Sequence, residues 1–208
     1  MKALFDPHGR LNPGVMVDAA PMTEDLRDPA LPPPGPLETR LHFPGGIRAT
    51  ADRCQRIGAC RRTGIGVMCP PYMATREEEH ATRGRANALV KALSTPDPKA
   101  AMGDERLHEI LDLCLECKAC QTECPLSVDM ATMKSEFLAH YHEQHGVPLR
   151  ARLFGHVRRL NRLGSRFAPL SNLPTGIAPL GAALERLVGI DRRRPLPRFQ
   201  RDTLSRWF

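Results

Sequence analysis

Cys114-Leu115-Glu116-Cys117-Lys118-Ala119-Cys120-Gln121-Thr122-Glu123-Cys124-Pro125 is the stretch on which the reading of this chain turns. Four thiols at i, i+3, i+6 and i+10, closed by a proline, form the ligand pattern of bacterial-type ferredoxins. A cubane needs several soft thiolates converging from one side. A loop or helical turn with a Cys at every third residue supplies three of them. The fourth, stopped by its proline, commonly ligates a different cluster. Zinc competes for the same residue type, since four-cysteine zinc sites also use C-x2-C pairs. Zinc ribbons, however, separate their two pairs by a long loop, whereas these four cysteines fall within one short run.

The other three cysteines are Cys54, Cys60 and Cys69, and Cys69 also precedes a proline, Pro70. All seven cysteines therefore fall into two groups, each ending in Cys-Pro. Under the crossed rule of two-cluster ferredoxins, Cys69 completes a set with Cys114, Cys117 and Cys120, and Cys124 joins Cys54 and Cys60. The set of four is expected to hold a [4Fe–4S] cluster. The set of three leaves three options: an incomplete cluster, a cluster with a non-thiolate ligand, or none. A local pairing, in which Cys114, Cys117, Cys120 and Cys124 share one cluster, stands beside the crossed one.

Composition limits what surrounds these thiols. The 208 residues include 20 Pro and 16 Gly, and only 5% are aromatic. That mass suits one helical unit of about a hundred residues with loosely packed flanks, stapled by its metal. The start, Met1-Lys2-Ala3-Leu4-Phe5-Asp6-Pro7, lacks the apolar core of a secretion signal, and no apolar run approaches the length of a membrane span. Closely spaced thiols without such a signal suit a reducing, cytoplasmic compartment. The net charge of +7 is concentrated at one end. Residues 147–208 carry 13 Arg, no Lys and three acids, a surplus of +10. This tail allows peripheral contact with the inner face of a membrane. It lacks the aromatic interleaving of a nucleic-acid surface, so its arginines read more simply as solvated. A zinc-stabilised structural or nucleic-acid module remains the rival reading.

The expected architecture is mainly α, with a helical ferredoxin-like domain over residues 47–146. Before it lie turns over 1–27, among them Asp6–Val15, and a Pro-rich extended linker over 28–46. After it comes a basic connector, 147–208, opening on an amphipathic helix (Leu153, Val157, Leu160, Leu163) and passing into Pro/Gly-broken turns. Thr75-Arg76-Glu77-Glu78 reads as a capping box that opens a helix. Ala86, Leu89, Val90 and Leu93 mark its apolar face. A second helix from about Asp104 carries Leu107, Ile110 and Leu111 and delivers Cys114. A third, from near Ser127 to Gly146, turns Met130, Met133, Phe137 and Tyr141 inward. Arg76, Arg83 and Arg85 are candidates either to raise a cluster potential or to pair with Glu77–Glu79. His80 is a candidate non-thiolate ligand, though more simply a solvated helix residue. His140, His142 and His145 read as a cationic helix end.

Four stretches give the chain a family likeness: Cys54–Cys69, Met68–His80, Thr82-Arg83-Gly84-Arg85-Ala86-Asn87, and Cys114–Cys124. Together they resemble the bacterial FAD-linked oxidases fused to an iron–sulfur module, the D-2-hydroxyacid dehydrogenases of the D-lactate and D-2-hydroxyglutarate type. The resemblance implies that residues 1–27 are similar to the end of a flavin domain, with Asn12 near the flavin. It implies a [4Fe–4S] relay, and FAD held by a flavoprotein domain or subunit outside residues 1–208. Electrons would leave to a quinone or another carrier. The chain then reads as a fragment or a split-gene subunit of an oxidoreductase, inactive on substrate by itself.

Overall fold

Residues 1–15, 17–24, 32–191, 193 and 196–208 are described by a computed structural model, and every regular element among them is helical. The mainly α expectation holds. The chain divides into two compact units, Met1–Phe137 and Leu138–Phe208, and the division falls inside a helix.

The first unit opens on a single turn, α1 (Lys2–Phe5), followed by the expected Pro/Gly turns. Their organiser is Asp6. Its carboxylate accepts the backbone N–H groups of Arg10 (2.7 Å) and Leu11 (2.8 Å) and pairs with Lys2 at 3.0 Å. Residues 28–31 of the Pro-rich stretch lie outside the described residues, and 32–39 form no helix or strand. This segment is docked on the unit. Gly35 donates its N–H to the Thr95 carbonyl at 3.0 Å. Glu136, fully buried, accepts the N–H groups of Arg40 and Leu41 at 2.8 and 2.9 Å.

Helices α2 (Ile47–Asp52), α3 (Pro70–Thr75), α4 (Thr82–Leu93), α5 (Pro98–Ala101), α6 (Glu105–Asp112), α7 (Ala119–Glu123) and α8 (Met130–His145) follow. The centre of the unit is α4. Its predicted apolar face is buried at Ala86, Leu89, Val90 and Leu93, and it packs on α2, α5 and α6. Leu107 and Leu111 of α6 and Met130, Met133 and Phe137 of α8 complete the core, while Ile110 and Tyr141 are only half-buried. Asp104 and Asp97 cap α6 and α5 by accepting the N–H groups of Leu107 and Ala100.

The capping box expected at Thr75 does not form. Arg76 adopts a left-handed conformation (φ 62°) that ends α3, and the Thr75 hydroxyl donates to the Pro71 carbonyl instead. Glu78–His80 form a 3-10 turn, and α4 starts only at Thr82. Gly84 makes this sharp entry feasible, because a Cβ there would collide with the Glu78 carbonyl.

In the second unit the single amphipathic helix expected after Arg150 is two, α9 (Leu149–Gly155) and α10 (Val157–Arg166), broken at His156. A 3-10 stretch, Leu170–Gly176, follows. The region expected to hold only broken turns contains α11 (Ala178–Val188), and α12 (Leu204–Trp207) lies beyond it. Pro179 is tolerated in the first turn of α11, where its missing N–H is not needed, and Gly189 ends that helix at φ 69°. Asn172 and Phe199 tie the unit reciprocally, Nδ2 donating to the Phe199 carbonyl and Oδ1 accepting its N–H. No helix among the described residues is long and apolar enough to cross a membrane.

Candidate metal centres

The seven cysteines are all free thiols, and they line two separate cavities in the first unit. One is walled by Cys69, Cys114, Cys117 and Cys120. The other is walled by Cys54, Cys60 and Cys124. Met68 and Thr82 contribute to both walls, so one layer of side chains lies between them.

The first cavity is assembled from distant pieces. Cys114 ends the stretch that leaves α6, and Cys120 begins α7. Between them Glu116 (φ 53°) and Lys118 (φ 59°) take the left-handed conformation, on either side of Cys117, and Cys114, Cys117 and Cys120 all line the cavity. Neither is glycine, and each such residue costs on the order of 1 kcal/mol. Lys134, nearly buried on α8, grips this loop by donating to the carbonyls of Asp112 (3.0 Å) and Cys114 (2.8 Å). Cys69 arrives from the other Cys-Pro group. Its backbone is set by Glu123, which accepts the N–H groups of Val67 (2.9 Å) and Met68 (3.0 Å) from beside Cys124. The carboxylate beside one Cys-Pro thus holds the approach to the other.

Electrostatics at the sulfurs follow from burial. Desolvation pushes the thiols of Cys60, Cys114 and Cys120 up from their ordinary range. Backbone N–H groups oppose it: Arg83 toward Cys60, Glu116 toward Cys114, and Met130 and Ala131 toward Cys120. Such donors favour thiolates, the form that binds iron. Among the described residues no three His, Cys, Asp or Glu side chains are gathered closely enough to hold a metal ion. A cubane separates its thiolates by its own width, so thiols around a cavity suit a cluster better than a lone ion. The donor set of four thiols fits a [4Fe–4S] cluster.

Other singled-out residues sort cleanly. Arg83 lines the second cavity and is held by Glu78 through Nε (2.6 Å) and Nη2 (3.0 Å). Arg85 lines the first cavity. Arg76 is exposed and lines neither. His80 is also in neither wall; its Nδ1 shares a hydrogen bond with the Thr75 hydroxyl at 2.8 Å. His145 stacks on Tyr141. Asn12 sits exposed in the N-terminal turns at φ 45°. Glu123, Lys134 and Glu136 were not singled out from sequence. Nothing in a local pattern distinguishes them from solvated helix charges, since their partners lie from 20 to 96 residues away.

Comparison with known proteins agrees with this chemistry. Residues 50–128 match the 4Fe-4S dicluster domain. A D-2-hydroxyglutarate dehydrogenase of Pseudomonas putida is 28% identical over 74% of this chain and 19% of its own length. That of Escherichia coli is 27% identical over 80% of this chain and 20% of its own. A probable glycolate oxidase iron-sulfur subunit of Bacillus subtilis is 31% identical over 51% of this chain and 24% of its own. The chain therefore spans about a fifth to a quarter of the curated relatives it matches. No solved structure matches it. The resemblance to iron–sulfur D-2-hydroxyacid dehydrogenases is borne out. The chain carries a ferredoxin-type dicluster domain and is an electron-transfer module; the zinc or nucleic-acid reading is not favoured.

Proposed function

We propose that this chain is the iron–sulfur relay of a flavin-dependent D-2-hydroxyacid dehydrogenase, with crossed ligand sets. Cys69, Cys114, Cys117 and Cys120 hold a [4Fe–4S] cluster, and Cys54, Cys60 and Cys124 hold a second, three-thiol cluster. The observation that carries this is the partition of all seven thiols between two cavities, each Cys-Pro thiol facing the opposite group's set. When bound, the clusters supply one-electron storage and transfer. The chain's own residues supply thiolates, aim N–H dipoles at the sulfurs and keep water from the buried ones. Substrate oxidation and FAD belong to a flavoprotein domain or subunit, and Asn12 in the turn resembling the end of such a domain faces it. Electrons pass to a quinone or another carrier, in the cytoplasm or at the inner face of the membrane. Residues 1–27, 28–46, 47–146 and 147–208 are the flavin-domain remnant, linker, ferredoxin domain and basic connector.

Iron and sulfide analysis of anaerobically reconstituted protein tests the ligand sets. Crossed ligation expects Cys69→Ser to remove the four-thiol cluster and Cys124→Ser to spare it; the opposite result supports local pairing. A dye-reduction assay tests the relay. The chain alone should oxidise neither D-lactate nor D-2-hydroxyglutarate, even with added FAD, yet pass electrons from dithionite to an artificial acceptor.

A further inference from the structure

Among the described residues Arg85 is the most deeply buried cation, at 1% exposure, and no carboxylate pairs with it. Buried arginines are ordinarily neutralised, because an unpaired charge in a low-dielectric interior is costly. Two of its three nitrogens are engaged. Nε donates to the Ile110 carbonyl at 3.0 Å, and Nη1 lies 3.5 Å from Cys69 Sγ. Nη2 is buried with no hydrogen-bond partner. The side chain lines the four-thiol cavity.

Its neighbour in sequence provides the contrast. Arg83, two residues earlier on α4, also lines a thiol cavity, but it is bound bidentately by Glu78, which Arg61 approaches as well. Arg83 is already neutralised and partly exposed, whereas Arg85 is neither. Lys118, the other cation lining the first cavity, is exposed and lies 3.9 Å from the Asp129 carboxylate, and Lys134, outside that wall, is spent on two carbonyls and an ion pair with Glu116 at 3.5 Å. What is missing beside Arg85 is an anion with acceptor atoms in the cavity itself. A cubane held by four thiolates is such an anion, with sulfur atoms that accept hydrogen bonds.

We propose that Arg85 is a tuning residue for the cluster of the four-thiol cavity. Its free Nη2–H donates to the cluster's sulfur, and its unneutralised charge raises that cluster's reduction potential. This rests on the ligand reading above. Reduction adds negative charge to the cluster, so a buried cation and a donor beside it stabilise the reduced form more than the oxidised. The Ile110 carbonyl holds Nε, Nη1 lies against Cys69 Sγ, and Nη2 is left buried without a protein partner.

The test is a redox titration of the reconstituted full chain, followed by electron paramagnetic resonance so that the two clusters are read separately. Arg85→Lys keeps a cation but loses the fork; Arg85→Met removes both charge and donor. Arg83→Met, at the other cavity, is the control. With iron and sulfide content equal to the parent, Arg85→Met should make the four-thiol cluster at least tenfold harder to reduce at fixed ambient potential, about 59 mV for a one-electron couple. Arg85→Lys should give a smaller shift of the same sign, and Arg83→Met should leave this cluster unmoved. Where Arg85→Met does not assemble its cluster, the Lys variant carries the comparison. Loaded variants with the parent potential overturn the proposal, and so does loss of helicity together with iron in both, which would make Arg85 purely structural. Failure of the ligand reading shows separately, as a parent chain without iron and sulfide.

Discussion

Cys117 is the exposed member of the four-thiol wall, flanked by Glu116 and Lys118 in left-handed conformations. A loop held in that shape without its ligand stores strain that cluster binding offsets. Cys117→Ser should therefore lose the four-thiol cluster and lower the melting temperature of the loaded protein, because metal binding and folding are linked. A variant with full iron content and unchanged melting would contradict this. Asp6 allows a prediction on pH. The Leu11 N–H, then Lys2 and the Arg10 N–H, hold its carboxyl below the usual carboxylate range. A lowered folded pKa means that its contribution is present above the unfolded value of about 3.9 and is lost as pH falls through the folded one. Protection of the Arg10 and Leu11 amides, relative to their intrinsic exchange rates, should persist above the unfolded carboxyl value of about 3.9 and fall as pH drops below it. Loss of protection that begins near neutrality would implicate another group. At this scale the thiols themselves were legible, because ligand chemistry demands a residue type. Arg85 was one of three equivalent arginines until burial separated it from Arg83 and Arg76.

Among elements, the short connections do the positioning. Glu123 closes α7 and reaches the N–H groups of Val67 and Met68, so one carboxylate sets the entry of Cys69. Glu123→Ala should leave both donors without a protein partner, loosening the loop by roughly 1 kcal/mol. The expected readout is faster loss of the four-thiol cluster to a chelator at unchanged helicity. Equal release rates would show that the loop is held by Pro70 and its own turn. The apolar stripe of α4 was legible because 3.6-residue periodicity survives in any context. Its start was misread at Thr75, since the left-handed Arg76 and the close approach at Gly84 are consequences of packing around Glu78. The break at His156 and the presence of α11 escaped for a related reason. Both lie where Gly and Pro make local propensity weak, and contacts such as Asn172 with Phe199 decide instead.

At the scale of the molecule, every thiol lies within the unit Met1–Phe137, while most of the arginine surplus lies in Leu138–Phe208. Deleting residues 167–208 should therefore leave iron and sulfide content unchanged, although α10 loses the Ser171 bond to Gly164 and the Phe199 ring against it. A truncated chain that assembles no cluster would show that the units depend on each other. Spacing alone was enough for the cluster chemistry, the helical class and the main apolar face. A thiolate ligand, a cubane's need for converging sulfurs and the pitch of a helix all leave marks within a dozen residues. Which thiols share a cavity, which arginine is left without a carboxylate and which carboxylates hold the ligand loops depend on residues far apart in the chain. Only folding brings Cys69 beside Cys114, Glu123 to Val67 and Glu136 to Arg40, because burial and hydrogen bonding act through space and not along the sequence.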